Sequence, residues 1–255
     1  MELNEPAWLP SLKEAISMKL KTNLHFHTGD DPHDYVPYTT TAGIDHAASL
    51  GFEVLAVTCH GKMAWNEEYN QFAAKQNILL IPGIELDVTS SRQEERRGKH
   101  VIVLNCGTDI EAVRTFGDLR EYRRAHPDIF VLAPHPYFYG HFSLKDFLAQ
   151  NVDLFDAIEH SWFYSAGFNR NTPAQQFANA HRLPLIATSD AHTFQNLDTD
   201  YAVACAEEKT IPGVLEAIRN GRIENVTRQK HLMKEMVLPV GVFFAKNMWH
   251  RRGYL

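Results

Sequence analysis

The 255-residue chain is 44% hydrophobic and carries a formal net charge of −6, which supplies a full core and excludes broad attraction to nucleic acid or anionic membranes. Its three cysteines, Cys59, Cys106 and Cys205, are odd in number and lack Cys-x-x-Cys spacing, so neither a disulfide framework nor a thiolate zinc site is expected, and a reducing cytoplasm suits the chain. The start, residues 1–10, holds acids and prolines where a signal peptide would be basic and apolar, and no run reaches the roughly 18 apolar residues of a membrane span.

In chain order, a short amphipathic helix is predicted over 11–20 and a first strand over 22–27. Side chains alternate along a strand, so His25 and His27 in Leu24-His25-Phe26-His27-Thr28 face the same way and can grip one ion. A polar loop, 28–38, precedes a helix over 39–50, with Gly51 at its C-cap. A second strand, 54–58, ends at Cys59-His60. A helix over 64–76 leads to a third strand that ends in Pro82-Gly83-Ile84-Glu85-Leu86. The charged connection 90–98 then leads to His100-Val101-Ile102-Val103-Leu104, where the histidine precedes the apolar run. A hairpin returning alongside the strand after Glu85 explains that reversal. A helix over 111–124, a strand over 129–133 ending in Pro134-His135-Pro136, a helix over 143–150, a strand over 154–159 and a helix over 173–181 follow. The strand starting at Leu185 ends in Ser189-Asp190-Ala191-His192.

Six or seven strands separated by helices predict a parallel barrel or a doubly wound sheet, and the barrel explains more. His25, His27, His60, Glu85, His135, Asp190 and His192 all fall at or just after a strand end, and in a barrel those ends converge on one mouth. Imidazoles with carboxylates suit zinc, iron or manganese, and eight or nine candidate ligands are too many for one tetrahedral site, so two or three divalent ions are expected with Glu85 as bridge.

The ordered set His25-Phe26-His27-Thr28, Thr58-Cys59-His60, Pro82-Gly83-Ile84-Glu85, His100-Val101-Ile102-Val103-Leu104, Ala133-Pro134-His135-Pro136 and Ser189-Asp190-Ala191-His192 resembles the motifs of the PHP (polymerase and histidinol phosphatase) superfamily. The resemblance spans residues 22–192. It implies an α/β fold, a distorted (βα)7 TIM-like barrel, with a trinuclear metal centre at the C-terminal mouth of the strands that hydrolyses phosphate esters. It also implies His100 as a ligand, which its position ahead of a strand does not suggest. Two departures stand out. Cys59 replaces the family's usual aspartate, and the first loop lacks the Ser-Asp-Gly turn of many members. His33, six positions after His27, is the favoured loop ligand, with Asp30, Asp31 and Asp34 as rivals.

The expected metal set is therefore His25, His27, His33, His60, Glu85, His100, His135, Asp190 and His192, with Glu85 and Asp190 also catalytic. The expected chemistry is in-line attack by a metal-bridging hydroxide on a small phosphorylated metabolite or nucleotide. Lys62 and Arg170 are candidates for holding phosphate, and Arg92, Arg96 and Arg97 for covering the mouth. One barrel domain over 1–255 is expected, with 223–255 as an extension packing across it or against a second subunit. Asn225-Val226-Thr227 matches a glycosylation acceptor, incidental in a chain without a signal sequence. The competing functions are an amidohydrolase-type hydrolase, which would show a bridging lysine, and a non-enzymatic metal-binding domain, which would lack ligands.

Overall fold

The computed structural model describes residues 17–91 and 98–251. Most of the helix expected over 11–20, and Arg92, Arg96 and Arg97, lie outside the described residues. Met18 to Leu20, expected to end that helix, instead begin a strand.

Nine strands form one sheet: β1 (Met18–Phe26), β2 (Val54–Val57), β3 (Leu79–Val88), β4 (Lys99–Leu104), β5 (Phe130–Ala133), β6 (Ala157–His160), β7 (Leu185–Ala187), β8 (Tyr201–Ala206) and β9 (Ile223–Val226). Their order is β7-β6-β5-β4-β3-β2-β1-β8-β9. The expected hairpin is present: β4 runs antiparallel to β3, with Glu85 opposite Ile102 and Asp87 opposite His100. The strand count differs from seven because β8 and β9 extend the sheet antiparallel from β1. The two edges then meet. Ala187 N donates to Asn225 Oδ1 at 2.8 Å, and Asn225 Nδ2 donates to Leu185 O at 2.7 Å, so one amide clasps β9 to β7. At the mouth, His27 N donates to Ala191 O at 3.1 Å, tying the end of β1 to the loop after β7. The result is a distorted, nearly closed α/β barrel.

Helices surround the sheet and lie across its two ends. They are α1 (Thr40–Ser49), α2 (Glu67–Lys75), α3 (Phe116–Ala125), α4 (Asp146–Gln150), α5 (Asn171–His181), α6 (Ile211–Arg219) and α7 (Leu238–Arg251). Local chemistry fixes their starts: Thr39, Asn66 and Thr210 each accept a backbone N–H in the first turn, and Thr115 with Asp118 forms a reciprocal capping box. Gly51, at φ 79°, takes the left-handed conformation expected just past α1.

The inner face follows strand alternation. Ile81 on β3, Ile102 and Leu104 on β4, Phe130 and Leu132 on β5, Ala157 on β6 and Ile186 on β7 form one buried apolar cluster, against which α6 packs Val214, Leu215 and Ile218. Continuing β3, β4, β6 and β7 on that face toward the mouth gives Glu85, His100, Glu159 and Asp190. On β1, Leu24 joins the inner cluster while Phe26 packs outward with Ile44 of α1. A register shift between Asn23 and Phe26 accommodates this change of face and leaves His25 and His27 in the mouth.

Candidate metal centre

Glu85 is the hub. It is 1% exposed, and its two oxygens face opposite sides of the cluster. Oε2 lies 3.3 Å from His25 Nε2, 3.4 Å from His27 Nε2 and 3.2 Å from His60 Nε2, while Oε1 lies 2.8 Å from His100 Nδ1 and 3.4 Å from His135 Nε2. Asp190 Oδ1 closes the first side, 3.2 Å from His25 Nε2 and 3.3 Å from His27 Nε2. Four groups have ligand atoms within 4.8 Å of one another: His25, His27 and Asp190; His25, Glu85 and His135; His60, Glu85 and His100; His27, His60 and His192.

These donors fit divalent metal ions. Tetrahedral bonds of about 2.1 Å separate donor atoms by roughly 3.4 Å, close to the spacings here. Glu85 Oε1, His100 Nδ1 and His192 Nε2 are also buried, and despite close polar neighbours none makes a well-aligned hydrogen bond among the described residues, an arrangement that a cation would satisfy. The overlapping groups, with Glu85 shared by two and His25, His27 and His60 each in two, can hold two or three ions.

Electrostatics point the same way. Burial pushes the His25 imidazolium down, but the charges of Asp190, Glu159 and Glu85 outweigh it and raise it to about 10. His27 is likewise raised well above the usual value: its burial is outweighed by hydrogen bonds to Asp190, Asp31 and Glu85. Burial favours protonation of Glu85, Asp31 and Asp190, yet the surrounding imidazoles hold all three well below the usual carboxylate range. His100 goes down, because its burial outweighs Glu85. The mouth is thus a set of carboxylates that demand cations.

The first loop is organised by Asp31. Its Oδ1 accepts from His33 N and Asp34 N at 2.8 and 2.9 Å, and its Oδ2 faces His27 Nδ1 at 2.8 Å and His60 Nδ1 at 2.9 Å. Those contacts leave Nε2 of both rings facing the cluster. His33 stacks on His60 with its side chain 50% exposed and Nδ1 3.9 Å from Asp87 Oδ2. Asp34, 19% exposed at the side chain, reaches further in, with Oδ2 3.3 Å from His192 Nε2.

A cavity of about 1430 Å³ opens above His60, Glu85, His100, His135, Asp190 and His192. Phe138, Phe142, Trp162 and Phe163 line it, and so does the C-terminal segment: Phe243 of α7 lies edge-on to His192 at 4.8 Å, and Tyr35 N donates to Asn247 Oδ1 at 2.5 Å. His135 (φ 27°) and Asp190 (φ 45°) hold left-handed backbone conformations at the cavity floor, the kind of strain that persists where the surroundings over-determine it.

The two cations expected to hold phosphate are not brought to this cavity. Lys62 pairs with Asp30 at 3.3 Å, and Arg170 stacks over Tyr139 at 4.1 Å. Arg114, Arg228, Lys230, Lys234 and Lys246 line it instead, four of them from the segment after β9. Two of these four are already paired: Arg228 with Glu235 at 2.7 Å, and the buried Lys230 amine with Asp200. Cys59 is fully buried, with Sγ 3.6 Å from Thr28 Oγ1, and burial pushes its thiol up, so the residue that replaces the expected aspartate is a packed, inert side chain. Sequence reasoning missed Glu159, which is wholly buried behind His25; its place on the inner face, two residues beyond Ala157, is the signal that could have found it.

Fold and site together define a PHP-type barrel equipped to bind metal, and comparisons with known proteins agree on the fold. A family model described as PHP-associated matches residues 168–223. No curated protein matches the chain. Among solved structures, a two-domain protein from Bacteroides vulgatus containing a predicted PHP-like metal-dependent phosphoesterase superposes with a TM-score of 0.63 at 19% identity, covering 89% of this chain and 70% of that one. PsfC from Pseudomonas syringae gives 0.57 at 17% identity, covering 93% and 99%. An endonuclease Q in complex with a 27-mer duplex carrying an abasic lesion gives 0.60 at 16% identity, covering 83% and 60%. The chain has the fold of the PHP-superfamily metal-dependent phosphoesterases.

Proposed function

We propose that the protein is a metal-dependent hydrolase of phosphate esters. The observation that carries this reading is Glu85, one carboxylate whose two oxygens face five imidazoles at the floor of an open cavity, with Asp190 beside it. Bound divalent ions lower the pKa of water and neutralise developing charge on phosphoryl oxygens. The chain's own contribution is placement. Glu85 and the strand-end histidines would hold the ions, Asp190 stands at the cavity floor where it can orient or carry a proton, and Phe138, Phe142, Trp162 and Phe163 wall the space above.

For the loop ligand we read Asp34 in place of His33, because a carboxylate 3.3 Å from His192 Nε2 extends the set around His27, His60 and His192, whereas His33 turns toward Asp87. Lys234 and Lys246 replace Lys62 and Arg170 as candidates for holding substrate charge. The net charge of −6 and the α7 roof over the mouth favour a small phosphorylated metabolite or nucleotide over a nucleic-acid duplex. The amidohydrolase reading would put a bridging lysine at the strand end where Glu85 stands.

The test is to purify the chain, quantify its metals and assay phosphomonoesters and phosphodiesters with zinc, manganese or iron. Hydrolysis of at least one class, abolished by a chelator and restored by metal, is expected. A fully loaded protein that cleaves none of them would refute the reading.

A further inference from the structure

Glu159 does not line the cavity and is not a member of any of the four ligand groups, yet it is wholly buried at the back of the centre. Its Oε1 lies 2.9 Å from His25 Nδ1 and also accepts the Thr188 hydroxyl, and its Oε2 accepts the backbone N–H of His135. Three donors thus hold one carboxylate in a single orientation. On the opposite edge of the His25 ring, Nε2 faces His27, Asp190 and Glu85 at 3.1, 3.2 and 3.3 Å. A neutral imidazole carries one proton. If that proton sits on Nδ1, toward Glu159, the Nε2 lone pair is free for an ion.

We propose that Glu159 is a positioning residue of the metal centre: it acts through His25, holding the ring with Nδ1 protonated and Nε2 presented to the ions, as Asp31 does for His27 and His60. The Thr188 hydroxyl and the His135 N–H fix the carboxylate so that the ring cannot rotate or change tautomer. Glu159 is not itself a ligand, because both its oxygens are engaged by donors on the far side of the ring. The inference rests on the metal-centre reading and adds the residue that orders a histidine shared by two of its ligand groups.

The experiment is zinc binding by chelator competition on the full chain, stripped of metal, for wild type, Glu159→Gln, His25→Ala and the double variant, with circular dichroism confirming the fold. An amide cannot accept from all three donors, so Glu159→Gln should weaken one zinc step by about 10- to 100-fold, the range for such supporting contacts. In the His25→Ala background the same change should cost almost nothing further, because the two act as one unit. Unchanged affinity in Glu159→Gln, or losses that multiply in the double variant, would overturn the proposal. Should Glu159→Gln fail to fold, histidine-selective nitrogen NMR of the zinc-loaded wild type decides: His25 with Nδ1 protonated and Nε2 on the metal supports it, and Nδ1 on the metal overturns it. A wild type that takes up no zinc overturns the metal-centre reading as well. A wild type that binds zinc while Glu159→Gln binds equally well removes only the role of Glu159.

Discussion

The waist and the mouth of the barrel are built on neighbouring stretches of the same sheet, yet they are opposite in chemistry. At the waist Ile102, Phe130, Leu132 and Ile186 fill the interior with no polar atom to satisfy. Two to four residues further along the same face stand His100, Glu159 and Asp190. The waist is stabilised by removal from water alone, at roughly 25 cal/mol per Å² of apolar area. The mouth removes charged groups from water and offsets that cost only through pairing of its carboxylates with the surrounding imidazoles.

Four experiments break or sharpen this contrast, in order of expected size. Glu85→Ala takes the hub from the mouth and should lower metal affinity by more than the roughly 100-fold limit for losing a supporting contact, read as bound metal per chain. Retained stoichiometry and affinity would refute the hub role. Leu132→Ala opens a cavity at the waist and should cost about 2–5 kcal/mol in denaturant unfolding while leaving metal content intact. Loss of metal without loss of stability would show that the two regions are not separable. At the first loop, Asp34→Asn should weaken metal binding on the order of 10-fold while His33→Ala leaves it close to wild type; the reverse result restores His33 as ligand.

The smallest effect is in the pH dependence of the metal-free protein. His25, with a folded-state value raised from 6.5 to about 10, contributes stability that is complete below pH 6.5 and lost as pH rises toward 10. Asp31 and Asp190, depressed from 3.8, contribute stability present above that value and lost as pH falls through their folded values. The metal-free chain should therefore show its highest thermal midpoint between about pH 4 and 6.5 and decline above that, whereas a zinc-loaded chain, with metal in place of protons, should lack the alkaline decline. Identical profiles with and without zinc would contradict this account.

Much of this architecture was legible in the residues. Strand ends recur at one phase of the chain, and the reversal at His100 pointed to the β3–β4 hairpin that the register shows. What escaped was β8, α6 and β9. The inward residues of β8 are Ala202, Ala204 and Ala206, too small to give a strong strand pattern, and β9 has only four residues, three of them exposed. In the site, candidate ligands at strand ends were readable because barrel geometry gathers those ends at one mouth. Glu159 was not, because its role depends on which histidine lies across the barrel from it. The choice between His33 and Asp34 turns on Asp31, which accepts both their backbone N–H groups and so sets which side chain faces inward. Lys62 follows a motif in sequence, but Asp30 draws its amine aside.

The amide of Asn225 has a consequence beyond closing the barrel. A sheet left open would present β7 and β9 as bare edges, and bare edges recruit strands from other chains. By occupying the Ala187 N–H and the Leu185 carbonyl, this one side chain blocks that recruitment. The residue that reads in the sequence as an acceptor for a sugar serves in the fold as a guard against aggregation.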